Sequence, residues 1–174
     1  GRWGLLAESD RDTSHGSFIG GLLVAGQGLN GPDVMPESDG CDLIDVDVFP
    51  SDVDPLTFRQ YFANGVADFL EEVDSAVQEC RARYGVRVFN FSINTLSPIS
   101  LDAYSVEATK LDQISERADA IIVISGGNLE PQDCRPEWAS DATAALAQLA
   151  AARNDALYVP AESIRNVSVT ALNP

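Results

Sequence analysis

Two dense apolar runs, residues 86–93 and 120–125, stand on either side of a stretch in which apolar residues recur every three or four positions, and this alternation restricts the fold most. Short apolar runs suit central strands buried on both faces, whereas three-and-four spacing belongs to a helix that turns one side to a core. Strand, helix, strand in that order reads as a crossover joining two parallel strands. The helical stripe runs through Leu101, Tyr104, Ala108, Leu111, Ile114 and Ala118, with Ser100 placed to cap its start. An earlier stripe, Val66, Phe69, Leu70, Val73, Val77, Cys80 and Tyr84, stops at Gly85, a residue suited to a left-handed helix end.

Further runs extend the pattern. Residues 42–50 mix apolar and acidic side chains and alternate strictly from Asp45 to Val48, and residues 157–159 and 166–171 supply two shorter strands. A short run at 3–7 starts the sheet, and an alanine-rich stretch at about 137–153 carries Leu146 and Leu149 and predicts a thinly packed helix. The glycine- and proline-rich residues 26–41 read as a long surface loop. The fold class expected is α/β, a three-layer sandwich with a mostly parallel sheet covered by helices, in a single domain over residues 1–174. The sheet looks short of covering elements at both ends, and a start at Gly1 rather than methionine fits either a processed product or a piece excised from a longer protein.

The formal charge is −16, from 27 acidic and 11 basic residues. That field repels phosphate backbones and anionic lipid, so neither nucleic acid nor a membrane surface is an expected partner. No apolar stretch reaches the roughly 18 residues that span a bilayer, and the first residues lack the basic-then-apolar pattern of a secretory signal. The chain reads as soluble, its compartment open. Cys41, Cys80 and Cys134 share no close spacing, and with one histidine in the chain no metal site is expected. A disulfide with one free thiol is compatible with three cysteines, but Cys80 falls on the apolar face of its helix and reads as a buried thiol.

Two segments hold groups able to do chemistry. His15 opens the run Ser14-His15-Gly16-Ser17-Phe18-Ile19-Gly20-Gly21, and a neutral imidazole accepts a proton from a hydroxyl near pH 7. The plain reading is an exposed or capping histidine ahead of a glycine-rich helix that packs its backbone close to a neighbour. The second segment is the strand 120–125 running into Gly126-Gly127-Asn128. Sites in open parallel sheets gather where strands end, and an asparagine amide stabilises a developing oxyanion. Its plain reading is a tight turn, since all three residues tolerate positive φ.

Taken together, these segments resemble the subtilase family of serine proteases. His15-Gly16-Ser17-Phe18-Ile19-Gly20-Gly21 is similar to the family's His-Gly-Thr helix start, and residues 121–128 to its strand ending in Ala-Gly-Asn. Residues 88–94 fall where the family has a substrate-wall strand, and 158–161 with 167–171 match its Tyr-Pro-Ala segment and following strand. The resemblance implies His15 as general base and Asn128 as oxyanion donor, with Ser92, Ile93, Asn94, Ser125, Gly126 and Gly127 lining the pocket for the residue before the scissile bond. It implies a peptide or protein substrate and no cofactor. Calcium in the longer protein is compatible with the family, although no aspartate spacing here marks a site.

Two departures stand out. Asn94 replaces a usual glycine and Gly126 a common alanine. Only 14 residues precede His15, too few for the family's aspartate strand, and no serine nucleophile segment follows Asn128. Asp10 and Asp12 read as loop residues, and Ser125 lacks a Gly-x-Ser-x-Gly elbow. The isolated chain is therefore expected to be an inactive fragment of a serine endopeptidase. The alternative is a degenerate subtilase-like domain that works as a non-catalytic binding or scaffold module. Exposed sheet edges also predict pairing with a second copy as a homodimer.

Two further motifs are decoys. Gly26-Gln27-Gly28-Leu29-Asn30-Gly31 fits a dinucleotide fingerprint in letters, but Pro32 and Pro36 follow where a helix would have to open. Asn90 and Asn166 head glycosylation sequons, the first inside a strand expected to be buried.

Overall fold

The computed structural model describes residues 1–11, 14–31, 41–50, 55–95, 97–128, 138–151 and 157–170. They form a mixed α/β chain with parallel sheets, in two units, Gly1–Gly85 and Val86–Pro174.

In the first unit β1 (Arg2–Gly4) pairs in parallel with β2 (Asp45–Asp47), Trp3 opposite Val46. Between them run a short 3₁₀ turn at Glu8–Asp10 and helix α1 (Ser14–Asn30). The first three of the candidate motif's glycines divide in function: a Cβ on Gly20 would come within 3.3 Å of Leu43 Cδ1, while Gly16 and Gly21 face open space. Close backbone packing therefore involves Gly20 alone of these. Residues 26–30, expected in a loop, complete α1, and Gly31 follows it at φ +88°. Gly31 in the left-handed region ends the helix, so the glycine fingerprint terminates a helix instead of opening one.

Helix α2 (Pro55–Tyr61) leads into α3 (Val66–Tyr84), whose bounds match its stripe. Phe69, Leu70, Val73, Val77 and Cys80 are buried, while Val66 and Tyr84 at the ends are exposed. Gly85 stops α3 in the left-handed region, its N–H donating to Arg81 O at 3.1 Å. Asp68 in the first turn and Arg81 and Arg83 in the last place charge with the helix dipole. Phe49, Phe58, Phe62 and Phe69 cluster with ring centroids 4.8–5.9 Å apart, joining the chain after β2 to α2 and α3. Trp3 Nε1 donates to Glu79 Oε2 at 2.9 Å, tying β1 to α3.

In the second unit β3 (Val88–Phe91), β4 (Ile121–Ser125) and β5 (Val167–Val169) form a parallel sheet in that order. Helix α4 (Val106–Ala118) lies between β3 and β4, and α5 (Ala142–Ala151) between β4 and β5. Leu111 and Ile114 on α4 are fully buried with Ile122 and Ile124 on β4. The opposite face carries Val88, Ile121, Val167 and Val169, all exposed. The expectation of strands buried on both faces is therefore corrected: β4 alternates, and among the described residues of this unit β3 is an outer strand with Val88 at 63% exposure. Apolar density reports β propensity on both sides of a strand, but cover has to come from another element. No residue of α5 is buried, in keeping with its thin apolar stripe.

Two boundaries also move. Helix α4 is capped by Ser105, whose hydroxyl accepts from Ala108 N at 3.0 Å, and not by Ser100. Ser100 instead closes a turn, accepting from Asp102 N, and Leu101 is 96% exposed, so its place on the stripe was coincidence. Residues 157–159 form no strand of the sheet. They pair antiparallel with residues 95–99 through Thr95 N to Val159 O, Val159 N to Ser97 O and Ile99 N to Leu157 O, at 2.8–3.0 Å. Pro160, without an N–H, stops that pairing from continuing.

Ser105→Ala is expected to lower stability by about 1 kcal/mol, while Ser100→Ala leaves it within about 0.5 kcal/mol. Urea unfolding followed by circular dichroism separates the two, and equal effects would return the cap to Ser100. Burial pushes the Cys80 thiol pKa up, whereas Cys41 is exposed, and both are free thiols. Iodoacetamide with site-resolved mass spectrometry should therefore modify Cys41 in the native protein and Cys80 only after denaturation.

Candidate functional site

The parallel register places Phe91 opposite Ile124, so Ser92, Ile93 and Asn94 after β3, and Ser125 at the end of β4 with Gly126 and Gly127 after it, lie at the same carboxyl edge of the sheet. Six candidate residues are thus brought to one place by strand pairing, the position where open parallel sheets hold ligands. Asn128 continues from them and is exposed.

The edge is built from neutral hydrogen bonds. Ser92 Oγ accepts from Asn90 Nδ2 at 2.8 Å, and Ser125 Oγ accepts from Gly127 N at 3.3 Å. Gly126 N donates to Val169 O at 2.8 Å and Gly126 O accepts from Tyr158 N at 3.0 Å, which pins β4's end between β5 and the 157–159 segment. Both glycines are required by space. A Cβ on Gly126 would lie 2.4 Å from Thr170 Cγ2 and 3.2 Å from Val169 O. Gly127 has φ +107°, and a Cβ there would sit 2.4 Å from Cδ2 of Tyr158. The glycine at 126, where alanine is common in the resembled family, thus has a local cause in Thr170.

Tyr158 is the neighbour that sequence reading did not place at the edge. Its approach to Gly127 comes from a segment outside the sheet, about thirty residues further along the chain, and leaves no spacing signal.

His15 is the second residue of α1 and belongs to the first unit, and its imidazole lies outside the described residues. Asp10 lies in the 3₁₀ turn, where the Tyr61 hydroxyl at 2.6 Å and the Ser9 hydroxyl at 2.8 Å hold its carboxyl below the usual range. Tyr61 also accepts from Ala7 N, so Asp10 anchors α2 to the turn. Asp12 and Cys134 lie outside the described residues, as do Pro32 and Pro36. Asn90, expected in a buried strand, is exposed because it shares with Val88 and Ile121 the face of the sheet opposite Ile122 and Ile124. Among the described residues no cluster of three His, Cys, Asp or Glu side chains could hold a metal ion, and no helix is long and apolar enough to cross a membrane.

The fold and this edge define a mixed α/β chain with parallel sheets and a neutral, glycine-bearing strand end. Comparison with known protein families, with curated proteins and with solved structures gave no match.

Gly126→Ala is expected to destabilise by about 1–3 kcal/mol through overpacking, and Thr170→Ser, by removing the opposing methyl, to recover a large part of it. Gly127→Ala adds left-handed strain of about 1–3 kcal/mol that Thr170→Ser does not relieve. A double-mutant cycle in urea tests both, and additive effects of Gly126→Ala and Thr170→Ser would refute the contact.

Proposed function

We propose that this chain supplies the general base, the oxyanion donor and a substrate wall of a subtilisin-like serine endopeptidase. The observation that carries the reading is the shared carboxyl edge of β3 and β4, from which Ser92–Asn94 and Ser125–Asn128 emerge side by side. Asn128 follows Gly126 and Gly127 at the end of β4 and is exposed, so its carboxamide is open to a ligand from solvent. Its N–H donors would meet the oxyanion of the tetrahedral intermediate, a contact worth about 3–4 kcal/mol when made only in the transition state. His15 would take the proton of a serine hydroxyl on attack and return it to the leaving amine. The nucleophile and the orienting aspartate are assigned to sequence flanking these 174 residues.

In this reading the sheet is the middle of a three-layer sandwich. Helix α4 covers the face holding Ile122 and Ile124, and the exposed Val88, Ile121, Val167 and Val169 form the face that other helices cover. The substrate is a peptide or protein, a class compatible with a charge of −16 that disfavours nucleic acid and anionic membrane.

A fluorophosphonate probe should leave the 174-residue chain unlabelled and label a polypeptide extended at both ends through its natural reading frame. In the extended form His15→Ala should abolish labelling, and Asn128→Ala should lower kcat by about 10²–10³. Labelling of the short chain, or labelling of the extended form that persists without His15, would overturn the proposal.

A further inference from the structure

Asp112, in the middle of α4, is buried and draws together a segment distant in sequence. Its Oδ1 accepts from Ser163 Oγ at 2.6 Å and from Arg165 N at 3.0 Å, and its Oδ2 accepts from the Tyr104 hydroxyl. That hydroxyl in turn accepts from Ile164 N at 3.1 Å. Asn166 completes the group: Nδ2 donates to Ser163 Oγ at 2.7 Å, and Oδ1 accepts from Ile122 N at 2.9 Å and from Ser115 Oγ. The other end of the same segment is fastened at the candidate edge, where Tyr158 N donates to Gly126 O and Val159 exchanges hydrogen bonds with Thr95 and Ser97. Ala161 N to Tyr158 O at 2.8 Å and Ser163 N to Pro160 O at 3.1 Å make the intervening turn continuous. Residues 157–166 thus form a strut from α4 to the carboxyl end of β4.

We propose that Asp112 is the latch of this strut: its carboxylate holds residues 163–166 on α4 and through them fixes Tyr158 against Gly127, so that neutralising this one group loosens the edge while the sheet stays folded. An ionised carboxylate offers only acceptors, and every neighbour here is a donor. Protonation, or replacement by an amide, turns one oxygen into a donor facing a donor, so Tyr104 or Ser163 loses its acceptor in a buried place. The strand ladders and the apolar layer of Leu111, Ile114, Ile122 and Ile124 involve no ionisable group, so they survive the change. This inference is independent of the peptidase reading.

The ionisable groups around Asp112 are Tyr104 ahead of the helix, Glu162 and Arg165 on the strut, and Glu116 one turn further along α4. Arg165 is engaged with Glu116 Oε1 at 2.9 Å, and Glu162 Oε1 accepts from Ser105 N at 3.3 Å. Burial first, and the bond to Asp112 second, push the Tyr104 phenol up, so it remains a donor at neutral and acid pH. For Asp112, burial raises the carboxyl, but the hydroxyls of Ser163 and Tyr104 with the Arg165 and Ile164 N–H groups outweigh it and hold it below the usual carboxyl range. A depressed carboxylate contributes its full stabilisation above the unfolded value and loses it as pH falls through the folded one. The latch is therefore closed near neutrality and opens only in acid, once the pH has fallen below the ordinary carboxyl range.

Amide hydrogen exchange of the 174-residue chain, corrected for intrinsic rates, tests this in wild type, Asp112→Asn and Tyr104→Phe. In Asp112→Asn the amides of Ile164, Arg165, Tyr158 and Val159 should exchange about tenfold faster or more, while those of Leu111 and Ile124 keep their protection. Tyr104→Phe should show the same pattern more weakly, and the wild type should show it on acidification alone, so the outcome does not depend on any one variant folding. Unchanged exchange across 158–165, loosening that stops at residue 163 without reaching Tyr158, or uniform loss across α4 and β4 would each overturn the proposal.

Discussion

The second unit depends on the apolar layer where α4 meets β4, to which Leu111 and Ile114 on the helix and Ile122 and Ile124 on the strand belong, all four of them shut off from solvent. Each such side chain contributes about 1.5–3 kcal/mol by leaving water. The layer fixes which face of β4 turns inward, and because strand side chains alternate, it also fixes the register in which β3 and β5 hydrogen-bond to β4. Parallel register then puts the carboxyl ends of β3 and β4 at one edge. The placement of Ser92, Asn94, Ser125 and Asn128 is thus a downstream result of burial on the far side of the sheet.

Polar chemistry in this unit is built on that layer. Asp112 and Ser115 sit on the flank of α4 next to its apolar stripe, and their acceptors and donors gather Ser163, Arg165 and Asn166. Buried polar groups of this kind are stable only when every partner is present, so the cluster specifies one path for the chain between Tyr158 and β5. Glu162 adds a further tie, accepting the N–H of the Ser105 cap residue that the helix itself leaves unpaired.

The first unit solves a different problem, since it carries much acidic charge on little sheet. Arg2 and Arg11 converge on the half-buried Asp47, at 2.9 and 2.5 Å, and offset the acidic strand that would otherwise repel its surroundings. The four-phenylalanine cluster supplies the apolar closure that a two-stranded sheet cannot, burying Phe62 and Phe69.

Much of this was legible in the residues. The stripe from Val66 to Tyr84 and its stop at Gly85 came out residue for residue, because a long amphipathic period and a left-handed glycine are local properties. The strand cores at 88–91 and 121–125, their parallel sense and the buried Cys80 were readable for the same reason. Serine caps are not distinguishable by letter: Ser100 and Ser105 both precede apolar positions, and only the Ala108 N–H selects Ser105. The extent of α1 was missed because glycines were read as loop formers where neighbouring apolar residues sustain a helix. Local chemistry, then, determined which elements form and where α3 stops. Tertiary structure alone decided that β3 is an outer strand among the described residues, that residues 157–159 pair with 95–99, that Tyr158 and Thr170 demand glycine at 127 and 126, and that Asp112 gathers a segment some fifty positions away. These are contacts between distant parts of the chain, and no periodicity in one stretch encodes what another stretch will bring against it.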